Sequence, residues 1–140
     1  MLKRTKLFLD TKFTGLRQDT SLISLALVAE TGESFYAEFT DYKRDQVDDF
    51  IRNNIIPSLG GFRNFYAGDK WPLHQRVVKY DKEYFIRDNT EKILWALKIW
   101  LNRFNRIEIW TDVGAWDWVL FCEILAVCGI LDSKTQRTGR

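Results

Sequence analysis

A chain of 140 residues suits one domain built on a single core. Its net charge of +2 excludes the global positive field with which many nucleic-acid binders draw in a polyanion. The mix of 46% hydrophobic and 29% charged residues is that of a soluble globular protein, and no apolar stretch approaches the length of a membrane span.

Charge is uneven along the chain. Residues 1–18 hold Lys3, Arg4, Lys6, Lys12 and Arg17 against Asp10 alone, and Lys134, Arg137 and Arg140 stand near the end without an acid. Such basic ends suit either phosphate contact or plain solvation. The start, "MLKRTKLFLD", has too short an apolar run for a signal peptide. Cys122 and Cys128 lie six positions apart, which on a helix turns the thiols in different directions. That is neither disulfide nor metal spacing, and two free thiols fit a reducing cytoplasm, the expected location.

In chain order, "TKLFLDTKF" predicts a first strand. "SLISLALVAE" is nearly continuous in apolar residues, as in a strand covered on both faces. "ETGES" predicts a turn and "SFYAEF" a third strand, so an antiparallel meander is expected. "DYKRDQVDDFIRNNII" predicts a helix capped by Asp41, with Val47, Phe50, Ile51 and Ile55 on its inner side, ending near Pro57 and the Gly60–Gly61 pair. Residues 60–87 read as a loop containing a short strand at "RVVKY". "NTEKILWALKIWLNRF" carries Ile93, Leu94, Leu97, Trp100, Leu101 and Phe104 at the helical period, capped by Asn89 or Thr90. "RIEIWTDV" is a strand, Gly114 a turn, and "AWDWVLFCEILAV" a final helix. The expected class is α/β, a mixed sheet flanked by helices, with a domain over 1–130 and a basic polar tail over 131–140.

Two acids stand out. Strand residues two apart share a face, so Asp10 and Lys12 point one way and Thr11 the other. Asp117 shares its helical face with Leu120, Phe121 and Ile124. It reads either as a first-turn acid favoured by the helix dipole or as one that needs a partner or a metal.

"FLDTKFTGL" resembles the first motif of the DEDD 3′–5′ exonucleases, Asp-x-Glu-x-Thr-Gly-Leu, at every position but one. "LISLALVAETGESFYAEF" is similar to the strands that follow in that family, and "IWTDVGAWDWVLFCEIL" to its second motif, with Asp117 as the metal-binding acid. The likeness covers roughly residues 5–127 and is greatest to small exoribonucleases that trim adenylate-rich RNA 3′ ends. It implies a ribonuclease-H-like fold. It also implies two-metal phosphodiester hydrolysis with Mg²⁺ or Mn²⁺ held by four carboxylates, and a His or Tyr near the last acid as general base.

The departures matter as much as the matches. Lys12 stands at the Glu position, and an ammonium repels a divalent cation. Only 23 residues follow Asp117, Asp132 comes too soon for the last acid, and His74 lies in the irregular middle. The expectation is therefore no efficient nuclease activity and little or no bound metal, with Asp10 and Asp117 the remnant ligands. The family's fifth strand and last helix are expected to be lacking, which leaves a sheet edge or an apolar face for a homodimer or another partner to cover. Lys12 is expected to replace the cation. At an effective dielectric of about 20, its attraction for a carboxylate 4 Å away is about 4 kcal/mol before desolvation.

Three readings of function follow. One is a degenerate exonuclease fold that keeps a grip on RNA 3′ ends or nucleotides through Thr14, Gly15 and Leu16, helped by stacking on Trp71, Trp116 or Trp118. Another is a protein-interaction or inhibitor decoy. The third is an enzyme that completes its site across a dimer or works with one metal.

Overall fold

The computed structural model describes residues 4–15, 20–59, 77–80, 82–111 and 135–139, with 77–80 and 135–139 given by their backbone. The predicted final helix, Gly114, His74, Trp71, Trp118, both cysteines and the Gly60–Gly61 pair lie outside them.

The first strand, β1 (Arg4–Phe13), shows the alternation its sequence predicts: Leu7, Leu9 and Thr11 are buried, while Phe8 and Asp10 face solvent. β2 (Leu22–Ala29) and β3 (Ser34–Phe39) follow in an antiparallel meander. Gly32 makes the turn between them with φ 104°, a left-handed conformation that costs glycine little. β2 is covered on one face only in part, since Val28 is 46% exposed, contrary to the expectation of a fully sandwiched strand. Its run of apolar residues does not alternate, so periodicity could not show which side faced solvent.

Segment 42–59 is not one regular helix. A 3₁₀ turn at Arg44–Gln46 gives way to extended backbone at Val47. A π-helical turn at Ile51–Ile55 and a second 3₁₀ turn at Ile56–Ser58 follow. The break has a local cause: the Asp48 carboxylate accepts from the Ile51 amide at 2.8 Å, starting a fresh turn there. Phe50, expected inside, is 62% exposed. Ile51 and Tyr42 instead pack on Ile23 in a small second core with Val47, Ile55, Ile56 and Leu59.

The short strand expected at "RVVKY" is β4 (Val77–Tyr80). It forms a tight hairpin with β5 (Glu83–Asp88), a strand the sequence reading missed. Next comes α1 (Thr90–Leu101), capped by the Asn89 side chain, which accepts from the Lys92 amide at 3.0 Å. Asp41 also caps this helix rather than its own segment. Its two carboxylate oxygens accept from the Thr90 amide at 3.0 Å and the Thr90 hydroxyl at 2.9 Å. α1 leads to β6 (Arg106–Thr111), and β7 (Thr135–Gly139) lies in the stretch read as a polar tail.

The sheet order is β4-β5-β3-β2-β1-β6-β7. β1 pairs parallel with β6, and β3 pairs parallel with β5. A meander joined to parallel strands, with α1 crossing one face, is the expected ribonuclease-H-like arrangement. The position beyond β6 is not bare, as had been expected, because β7 pairs there in parallel. A polar sequence suffices for such an edge, since the ladder is made by the backbone and an edge strand tolerates polar side chains. No helix among the described residues is long and apolar enough to cross a membrane.

The main core lies between α1 and the inner sheet face. Ile93, Leu97, Trp100 and Leu101 meet Leu7, Leu25, Leu27, Phe35, Ile107 and Ile109, all 1% exposed or less. Phe35 stacks on Tyr84 with centroids 5.3 Å apart and meets Trp100 at 5.7 Å. Full burial of one such side chain contributes about 1.5 to 3 kcal/mol, so this seam anchors the sheet.

Candidate functional site

Asp10 and Lys12 project from the sheet face opposite α1, since Leu9 and Thr11 between and beside them are buried on the helix side. A register shift between Lys12 and Phe13 makes a β-bulge at this point: Lys12 pairs with Ser24 and Phe13 with Leu22, leaving Ile23 over. Lys12 Nζ donates to Asp10 Oδ2 at 3.0 Å. The Asp10 carboxylate is thus held by an ammonium two residues on.

The pair is weaker than the sequence-based figure. Its side chains are 42% exposed for Lys12 and 65% for Asp10. Water screens such a pair to about 0–1 kcal/mol, not the several implied by a semi-buried site.

The same face carries a carboxylate that sequence reasoning missed. Ser24 pairs with Glu38, and Glu38 with Arg87, so Lys12, Ser24, Glu38 and Arg87 form one row across four strands. Glu38 is only 3% exposed. It accepts from Arg87 Nε at 2.9 Å and from the Tyr36 hydroxyl at 2.7 Å, and forms a further short bond to Arg87 Nη2. Those donors occupy both oxygens, so Glu38 is a structural ion pair and not a spare metal ligand. The alternation in "SFYAEF" already placed it on the Asp10 face.

Thr14 and Gly15 lie just past the bulge. The Thr14 side chain is buried, with 1% exposure. Its hydroxyl accepts from the Ser21 amide at 3.0 Å and is bonded to the Gln46 side chain, with Thr20 and Ser21 hydroxyls each 3.2 Å away. The Thr14 amide donates to the Ser21 carbonyl at 2.9 Å, and the Gly15 amide to Thr20 Oγ1 at 3.0 Å. Thr14 ties the loop end to segment 42–59 instead of facing outward. Leu16, Trp116 and Asp117 lie outside the described residues.

On the other side of Asp10, Phe8 pairs with Val28 and with Trp110, and Phe8 and Val28 are 48% and 46% exposed. The Trp110 indole donates to Glu108 at 2.9 Å, and Lys6 lies over its ring at 5.4 Å.

Among the described residues no group of three or more potential ligands gathers to hold a metal. Asp117, the other acid expected to ligate a metal, lies outside the described residues.

No family model matches the chain. It is similar to curated proteins named 3′-5′ exoribonuclease in two strains of Mycobacterium tuberculosis. Each is 29% identical over 134 residues, covering 95% of this chain and 68% of the relative. The likeness is to exoribonucleases. It runs through the strand that carries Asp10 and Lys12, and so through the place where the chain departs from the motif.

Proposed function

We propose that the chain is a degenerate 3′–5′ exoribonuclease-like domain that holds RNA 3′ ends without hydrolysing them efficiently. The observation that carries this reading is the 3.0 Å contact of Lys12 Nζ with Asp10 Oδ2. In the proposed site Lys12 provides the positive charge that Mg²⁺ or Mn²⁺ provides in the family. An ammonium has three donors. One is given to Asp10, and the half-exposed head offers the others to a phosphate oxygen. A fixed ammonium attracts a phosphodiester, but it neither generates hydroxide nor stabilises the leaving oxygen as a metal pair does. Binding therefore persists where turnover does not.

The test uses a short fluorescent adenylate RNA. Fluorescence polarisation is expected to show salt-sensitive binding that weakens in Lys12→Ala, with no shortening of the RNA in the presence of Mn²⁺. Lys12→Glu is expected to gain Mn²⁺ binding by calorimetry. Mn²⁺-dependent trimming that Asp10→Ala abolishes would overturn the reading, as would no RNA binding at micromolar protein.

A second reading, a protein-interaction module, is favoured by the adjacent exposure of Phe8 and Val28 on the Asp10 face. Apolar pairs on an open sheet face suit a protein partner better than a phosphate backbone. Capture of one stoichiometric partner that Phe8→Asp releases, without RNA binding, would favour it over the first.

A further inference from the structure

A second feature lies on the far side of the sheet. A cavity of about 270 Å³ opens between α1 and the start of β5, with Lys82, Glu83, Tyr84, Trp95, Trp100 and Arg103 in its lining. Its rim is unusual. Trp95 is 69% exposed and Ile99 54%, although large apolar side chains are normally well covered. Its floor is aromatic and rigid, because Tyr84 stacks on Phe35 and Trp100 packs on both Phe35 and Phe104.

We infer that this pocket takes the base of a nucleotide, stacked on Trp95, with its phosphate towards Lys82 and Arg103. The inference rests on the exoribonuclease-like reading for its choice of a nucleotide over other planar ligands. The pocket offers two chemical matches. A planar ring finds an exposed indole face, and base–aromatic stacking is tolerant of base identity. The two cations at the mouth are held in place: Lys82 donates to the Thr31 carbonyl at 3.1 Å, and the Arg103 guanidinium lies 5.4 Å from the centre of the Trp100 ring.

Charge sets the expected character of binding. Glu83 is in the lining, and Glu33 is close enough to Lys82 and Arg103 for both to lower its pKa, after the larger effect of the Thr31 hydroxyl. Two acids against two cations leave little net field. Affinity then comes chiefly from stacking, with a shallow salt dependence, unlike the steep dependence of a phosphate-tracking groove.

The test is calorimetry on the full chain with adenosine, AMP, ribose 5-phosphate and a six-nucleotide oligoadenylate. Adenosine and AMP are expected to bind and ribose 5-phosphate not to. Trp95→Ala, a change at an exposed position, is expected to weaken both by about tenfold. Lys12→Ala is expected to leave adenosine binding intact. A free nucleotide as the natural occupant predicts AMP at least as tight as the oligomer. An RNA strand predicts a tighter oligomer whose affinity drops in Trp95→Ala. Unchanged adenosine and AMP binding in Trp95→Ala would overturn the inference, as would a tryptophan-containing peptide that displaces AMP and binds more tightly. If Lys12→Ala alone loses RNA while Trp95→Ala alone loses adenosine and AMP, both readings stand and the pocket takes a free nucleotide. If Trp95→Ala alone loses RNA, the 3′-end reading fails and the pocket stands.

Discussion

At the scale of single residues, Lys12 and Thr14 show why a motif match is not yet a site. Both sit in the stretch that resembles a nuclease motif, and the structure turns one outward and the other inward. Lys12 faces water beside Asp10, so removing it costs only what an exposed ion pair provides. Lys12→Ala is expected to lower folding stability by less than about 1 kcal/mol, measured by chemical denaturation. That is a correction to the several kcal/mol implied by a pair in a low-dielectric site. Thr14 behaves in the opposite way. Its hydroxyl is bonded to the Ser21 amide and the Gln46 side chain in a buried setting. Thr14→Val keeps the shape and removes the oxygen, leaving those groups without their partner. The expected cost is about 1 to 3 kcal/mol in the same measurement, more than for Lys12→Ala.

At the scale of elements, α1 and segment 42–59 were read by the same rules with different success. α1 has buried residues at Ile93, Leu94, Leu97, Trp100 and Leu101, an Asn89 cap, Glu91 in its first turn and Lys98 in its last. Period, cap and dipole all agree, so the sequence specifies this helix locally. Segment 42–59 has acids at Asp45, Asp48 and Asp49 that can each start a turn locally, and Asp48 does so. Asp41 looked like the cap of this segment because it precedes it in the chain. It caps α1 instead, from 49 residues away in sequence. Asp41→Ala is therefore expected to destabilise α1 and the fold by about 1 kcal/mol. Loss of protection at the first-turn amides of α1 in hydrogen exchange, with segment 42–59 unchanged, would verify the assignment. The strand-forming residues of "EYFIRD" do not read as a hairpin partner because the two-residue link Asp81-Lys82 carries no glycine to mark the turn.

At the scale of the whole molecule, the sheet has central strands paired on both sides and edge strands paired on one. Amide exchange is expected to be slowest in β1 and β2, and fastest among the strands in β4 and β7. Equal protection across the sheet would show that something covers both edges. The two proposed binding places lie on opposite faces of that sheet: Asp10 and Lys12 on one, the pocket beside α1 on the other. The sequence alone determined the meander, the long helix, the α/β class and the pairing of Asp10 with Lys12. These depend on period-two and period-3.6 patterns and on neighbours two positions apart, all of which are local. Only the tertiary structure decided that Asp41 caps a distant helix, that Glu38 is buried against Arg87, that Thr14 closes a loop, and that Trp95 and Arg103 border a pocket with Lys82. Each joins residues brought together by strand order and helix crossing, and no spacing along the chain encodes such contacts.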